Sequence, residues 1–307
     1  MNMWRFYVWA YRKGVTEGDK HRDMAIEDPK GVASFKDIRY AKGKGDYHLL
    51  DVYRPMKEGT YPLVIIVHGG GWVYGDKKLY GKYAMDIARR GFVTICFNYV
   101  LAPHEYFPKQ LEELDEVCDF ASKHATEYGY EPGYTFLAGD SAGAQMVAQY
   151  SAAYSNPEYA KLFNFHFPLK IKAIGLNCGV YSKIGDPLFK FDDTSDKQIK
   201  FMCKAQSALL RAYKGHAKEN DPRLEILPNI NATYPPAYVI TSEKDFVKSE
   251  DPKLLKQLDE VGAKYVYKEY TSKEGDKLQH VFHLIINEEH AILANDEECA
   301  FFRKTLE

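Results

Sequence analysis

Paired cysteines are missing from this sequence. Its five cysteines, Cys96, Cys118, Cys178, Cys203 and Cys299, are scattered, odd in number and without Cys-x-x-Cys or Cys/His spacing. A disulfide framework and a zinc module are therefore not expected. Cys96 and Cys178 fall in strand-like apolar runs and read as reduced core residues, which fits a reducing, cytoplasmic compartment. No apolar stretch reaches membrane-spanning length. The first ten residues are aromatic, but Arg5 interrupts them and the basic–apolar–small order of a secretory leader is absent, so none is expected. Nor is charge of one sign in excess. The 41 Lys and Arg and the 43 Asp and Glu leave a formal net charge of −2, which implies no basic face for nucleic acid. Repeats and low-complexity tracts are also lacking.

What is present is regular alternation over one chain of 307 residues, 45% of them hydrophobic. Tyr47–Tyr53, Pro62–Val67, Phe92–Phe97, Tyr134–Ala138, Ile171–Leu176 and Ala237–Thr241 read as strands, mostly continuous apolar runs suited to burial on both faces. Helices are expected over Lys78–Arg90, Leu111–His124, from Ala144 to Tyr150, over Pro252–Val261 and over Glu289–Lys304, with Gly91 and Gly262 as C-terminal stops. Lys264–Tyr270 alternates and suits a sheet edge. The pattern predicts an α/β fold with a mostly parallel sheet and helices on both faces.

Two segments depart from this rhythm. Residues 1–35 are polar with aromatic patches. Trp4, Val8 and Tyr11 lie at helical spacing, so a short amphipathic helix is expected, forming an N-terminal arm over the active-site face; a disordered tail is the alternative. Between Cys178 and Ala237 the connection is far longer than usual. Gln198–Arg211 within it looks helical, and residues 180–235 are expected to form a cap inserted over the C-terminal edge of the sheet. Phe189, Phe191, Phe201 and Met202 either shape a pocket there or form the cap's own core.

The chemistry centres on Gly139-Asp140-Ser141-Ala142-Gly143. A strand, Gly-x-Ser-x-Gly and a helix make a nucleophile elbow. The glycines let strand and helix pass closely, and the serine sits on a strained turn at the helix N-terminus. One strand earlier, His68-Gly69-Gly70-Gly71-Trp72 follows Val67 directly. Backbone N–H groups of Gly70, Gly71 and Ala142 are the candidate donors for an oxyanion hole. His68 is expected to brace that loop, and Asp140 to brace the elbow against Tyr99 or the glycine loop. Trp72 and Tyr74 either line the substrate cleft or pack beneath the arm.

With these motifs the chain resembles the α/β-hydrolase superfamily, and within it the hormone-sensitive-lipase-like esterases. His68–Trp72 matches their HGGGW motif and Gly139–Gly143 their GDSAG motif. Asn98-Tyr-Val-Leu-Ala-Pro-His-Glu105 is similar to their Tyr-Arg-Leu-Ala-Pro-Glu signature, with Val100 in place of the arginine and His104 added. Leu50-Asp-Val-Tyr-Arg-Pro55 resembles the acetyl-xylan and feruloyl-esterase-like branch. The resemblance covers roughly residues 45 to 300. It implies an α/β-hydrolase fold and a chain order of serine, acid, histidine. Asp245 then matches the acid, with Glu243 and Asp251 as rivals. His280 matches the base, with His283 as the rival and His290 a helix-start residue. The implied activity is hydrolysis of small carboxylic esters through an acyl-enzyme, with no cofactor and no metal. An amidase of the aryl formamidase type and a non-catalytic small-molecule-binding protein are the alternatives. The expected partner is a small ester, without nucleic acid or a membrane span, and a homodimer is left open.

Overall fold

The central strand-forming runs of the sequence are apolar on both faces and form the middle of one sheet, with less buried strands at its edges. In the computed structural model, residues 2–43, 45–187, 197–272 and 278–307 are described. The chain opens with α1 (Met3–Met24), followed by β1 (Val32–Arg39), β2 (Leu49–Pro55), β3 (Tyr61–Val67), α2 (Gly81–Arg89) and β4 (Val93–Phe97). Next come α3 (Lys109–Lys123), α4 (Ala125–Tyr128), β5 (Tyr130–Asp140), α5 (Ala142–Ser155), α6 (Pro157–Ala160) and β6 (Ile171–Asn177). The last third holds α7 (Lys197–Lys214), β7 (Ala237–Ser242), α8 (Asp251–Val261), β8 (Tyr265–Tyr270) and α9 (Glu289–Lys304).

The sheet has eight strands in the order β1-β2-β4-β3-β5-β6-β7-β8. β2 pairs antiparallel with both β1 and β4, and every other pair is parallel. The alternation of β3 shows why both faces are covered. Leu63, Ile65 and Val67 join α3, α5 and α8 in one core, whereas Val64 and Ile66 join α2 and α9 in a second. Burying a side chain of this size contributes about 1.5–3 kcal/mol, so each strand is held from two sides. β8 lies at the sheet edge.

Parallel pairing carries the ends of β3, β5, β6 and β7 to a single edge. Val67 stands opposite Gly139, Asp140 opposite Asn177, and Asn177 opposite Ile240. His68, Ser141, Cys178 and the loop after Ser242 therefore emerge side by side, at the carboxyl edge where open α/β sheets bind ligands.

Several boundaries differ from the sequence pattern. Residues 32–35 belong to the edge strand β1, paired with β2, and not to the arm. Their side chains are half-buried or exposed, so they carry no buried apolar run to mark a strand. α1 is 22 residues long, not short. α2 begins at Gly81 because Asp76 Oδ1 accepts the N–H groups of Lys78 and Leu79, turning the chain first. α1 packs along α7 beyond the strand ends, with the Tyr7 and Phe201 rings 5.4 Å apart and Arg211 above the Trp4 ring. Phe189 and Phe191 lie outside the described residues.

A buried ion pair fastens the chain just after the glycine loop. Lys77 Nζ lies 2.5 Å from Asp51 Oδ1 on β2 and 2.8 Å from Asp37 Oδ1 on β1. Lys77 and Asp51 are each 2% exposed. Removing one partner strands a charge in the interior. Lys77→Met is expected to lower stability by about 3–5 kcal/mol in urea denaturation. The double variant Asp51→Asn/Lys77→Met should recover about half of that or more, and a double variant no more stable than the single one would contradict this account.

Candidate active site

Steric contacts set the elbow. A Cβ on Gly139 would lie 2.6 Å from the Gly143 carbonyl carbon, and a Cβ on Gly143 only 2.0 Å from Val67 O. Only glycine allows β5 and α5 to meet so closely. Between them Ser141 adopts φ 51° and ψ −117°, a conformation that costs about 1–3 kcal/mol for a residue with a side chain. The donation of Ser141 N–H to Asn177 O at 2.9 Å holds it there.

The glycine loop is tied to the elbow from behind. Tyr80 Oη accepts Gly69 N–H at 2.8 Å and donates to Asp140 Oδ2 at 2.8 Å. Asp140 thus braces the elbow through Tyr80, not through Tyr99, whose hydroxyl donates instead to His68 O at 3.1 Å. Burial pushes the Asp140 carboxyl up to about 6, against the Tyr80 bond. The His68 ring stacks on Tyr99 at 4.0 Å, and its Nδ1–H donates to Gly69 O at 2.8 Å. Burial drives its pKa down to about 4, so His68 is a neutral brace. Gly70 and Gly71 have φ of 104° and 59°. None of the described residues accepts a hydrogen bond from the N–H of Gly70, Gly71 or Ala142.

Asp245 and His280 meet across 35 positions of sequence. The loops that carry them are zipped together: Lys244 N–H donates to Leu278 O, and Ser242 Oγ to Gln279 O. His280 Nδ1 then lies 2.7 Å from Asp245 Oδ1, which also accepts Val247 N–H, while Oδ2 accepts the Thr241 hydroxyl. Burial opposes the Asp245 charge, but the bond to His280, its charge and the Val247 N–H outweigh it and hold the carboxyl below its ordinary range. Ser141 Oγ makes no hydrogen bond to His280 among the described residues. The two are linked through neighbours. Phe246 borders the same cavity as Ser141 and lies 4.3 Å from the His280 ring. Val281 N–H donates to Cys178 Sγ, one residue beyond the Asn177 that holds Ser141.

The rivals sit elsewhere. His283 is buried against the edge of the Tyr83 ring, driven down to about 3 by burial, with no partner for either ring nitrogen among the described residues. His290 is the second residue of α9. Glu243 Oε1 accepts Ser272 N–H. Asp251 is buried at the start of α8, and burial, then the Asp245 charge, push it up to about 8.

A cavity of about 250 Å³ lies over Ser141, Gly71, Trp72 and Ala142. Tyr11 of α1, Phe201, Met202 and Leu209 of α7, and Phe246 close it with apolar surface. Phe201 and Met202 therefore face the pocket. Trp72 stacks on Tyr213 at 4.6 Å and donates its Nε1–H to Gln145. Tyr74 is not among the lining residues, because its hydroxyl turns to Asp19 and Thr16 of α1. No sequence pattern marks Tyr11, Leu209 or Phe246 as a pocket residue. Helical periodicity marked Tyr11 as packing, and nothing local shows which helix face meets the sheet edge. Among the described residues, no helix is long and apolar enough to cross a membrane.

This combination defines an α/β hydrolase. The chain matches the alpha/beta hydrolase fold family over residues 64–284 and belongs to it. It is 40% identical over 87 residues to an esterase of Gibberella moniliformis, covering 28% of this chain and 27% of that protein. With an esterase of Fusarium pseudograminearum the identity is 29% over 188 residues, covering 60% and 56%. The chain thus spans from about a quarter to just over half the length of these curated relatives. Esterase B from Lactobacillus rhamnosis shares the fold with a TM-score of 0.89 at 23% identity, over 99% of this chain and 96% of that one.

The elevated Asp251 gives a test with a definite sign. Its carboxyl keeps a proton in the fold up to about pH 8, whereas in the unfolded chain it ionises near its ordinary value of about 3.9. The folded state binds more protons in that window, so this group's contribution to stability falls as pH rises through it and is gone above about pH 8. Asp251→Asn removes the titration. Its stability relative to the wild type should rise by a few kcal/mol between pH 5 and pH 9, read by denaturant unfolding at both values. A pH-independent difference would refute the assignment.

Proposed function

We propose that the chain is a serine esterase that hydrolyses small carboxylic esters through an acyl-enzyme. The observation that carries this reading is the 2.7 Å bond of His280 to Asp245; the strained serine at a helix N-terminus supports it. The esterase names of its relatives support it.

In this mechanism Ser141 Oγ attacks the ester carbonyl as His280 Nε2 takes its proton. Asp245 holds the proton on Nδ1, which leaves the Nε2 lone pair facing outward, and stabilises the imidazolium as it forms. The N–H groups of Gly70, Gly71 and Ala142 receive the oxyanion, each worth about 3 kcal/mol of transition-state stabilisation. His280 returns the proton to the departing alcohol, and water repeats the sequence on the acyl-enzyme. The apolar lining of the cavity suits an uncharged ester with a modest apolar group, bounded by Leu209 and Met202.

Fluorophosphonate labelling tests the nucleophile: the wild type should be labelled and Ser141→Ala should not. On p-nitrophenyl esters, Asp245→Asn should lower kcat roughly ten-thousandfold with little change in KM. Wild-type protein that neither labels nor turns over any ester or N-formyl aromatic amide would sink the reading. Leu209→Trp, which fills the cavity, should reduce kcat/KM for hexanoyl relative to acetyl esters by about tenfold or more. An unchanged ratio would place the apolar group elsewhere.

A further inference from the structure

Three groups of metal-ligating type, distant in sequence, meet behind the His280 imidazole. Cys178 Sγ, a carboxylate oxygen of Asp245 and a ring nitrogen of His280 all lie within 4.8 Å of one another. Cys178 is fully buried just past the end of β6. Its sulfur accepts the Val281 N–H at 3.4 Å and its thiol faces the Asp245 carboxylate, so it is positioned from two sides. The Asp245 side chain is buried and that of His280 is 15% exposed.

We propose that this trio is an inhibitory site for a borderline-soft divalent cation of the zinc type. The inhibitory role rests on the proposed function of His280; the binding does not. Sulfur, nitrogen and oxygen form a donor set suited to zinc-like ions. A tetrahedral ion with bonds of about 2.0–2.3 Å holds its ligand atoms about 3.3–3.6 Å apart. The Nδ1–Oδ1 pair, now at 2.7 Å, needs to open by roughly half an ångström, and the sulfur, within 4.8 Å of both, needs to close in by at most about 1.3 Å. Turning the partly exposed ring opens the first distance; the second closes by rotation of the Cys178 and Asp245 side chains toward each other.

The charges also balance. A thiolate and a carboxylate offset a divalent cation, which leaves a neutral buried site, with water in the fourth position. On binding, the thiol releases one proton to solvent, and the imidazole proton moves from Nδ1 to Nε2. No electron is transferred. The consequence for His280 is direct. Its Nδ1 lone pair is committed to the ion and Nε2 carries the hydrogen, so no lone pair remains to accept the Ser141 proton. The ion switches the site off without entering the apolar cavity.

Cobalt(II), a spectroscopic stand-in for zinc, tests the binding apart from activity. Titration into the Ser141→Ala protein should produce a near-ultraviolet thiolate-to-cobalt band and visible bands of tetrahedral cobalt. Adding Cys178→Ser should abolish them. If that variant fails to fold, Asp245→Asn should weaken cobalt binding at least tenfold. In the wild type, zinc should inhibit ester hydrolysis reversibly to a chelator, with at least a tenfold higher inhibitory concentration in Cys178→Ser. No thiolate band in the Ser141→Ala protein, or equal zinc sensitivity with and without Cys178, would overturn the proposal. A chain that hydrolyses no ester but shows the cobalt band would refute the esterase reading and leave the cation site standing.

Discussion

A single methyl group on Gly143 would collide with the carbonyl oxygen of Val67, and the rest of the site depends on that closeness. It presses the start of α5 against the end of β3, so the serine turn and the glycine loop share one edge. The strain at Ser141 persists because its neighbours over-determine it. Asn177 holds its N–H, and the Asp140–Tyr80–Gly69 chain of hydrogen bonds clamps the two motifs from behind. Tyr80 is well suited to that post, since one hydroxyl both donates and accepts.

Burial sorts ionisable groups of one kind into different surroundings. His68 and His283 are fully enclosed and neutral, at about 4 and about 3, whereas His280 keeps one side toward solvent and the other on a carboxylate. The acids divide in the same way. Asp140 and Asp251 lie buried without a cation in direct contact among the described residues and are pushed upward. Asp245 has an imidazole and a backbone N–H to oppose the same burial and is held low. Environment, not residue type, distinguishes the group suited to orient a base from those that brace the scaffold.

The first helix is part of the site's framework. Arg12 donates to Val73 O at 2.7 Å and to Ala102 O at 2.9 Å, so α1 grips the backbone just beyond the glycine loop. The Tyr74 hydroxyl faces Asp19 of the same helix. With α7 on its other side, α1 carries Tyr11 to within 3.5 Å of a Cβ position on Gly71. The cavity thus draws Tyr11 from α1 and Phe201, Met202 and Leu209 from α7, two helices outside the sheet.

Short-range chemistry was legible in the sequence. Continuous apolar runs announced doubly covered strands, and Gly-x-Ser-x-Gly after such a run announced a strained turn, because steric demands over five residues need no distant partner. Strand β1 escaped detection, as half-buried edge residues carry no comparable signal. Family order suggested Asp245 and His280, but periodicity could not give their separation. Only the tertiary structure decided that Asp140 meets Tyr80, that Tyr74 turns toward Asp19, and that Cys178 stands beside the Asp245–His280 pair. Each of these contacts joins segments whose approach is set by sheet order and loop packing, and a linear pattern carries no information about which side chains converge at a shared edge.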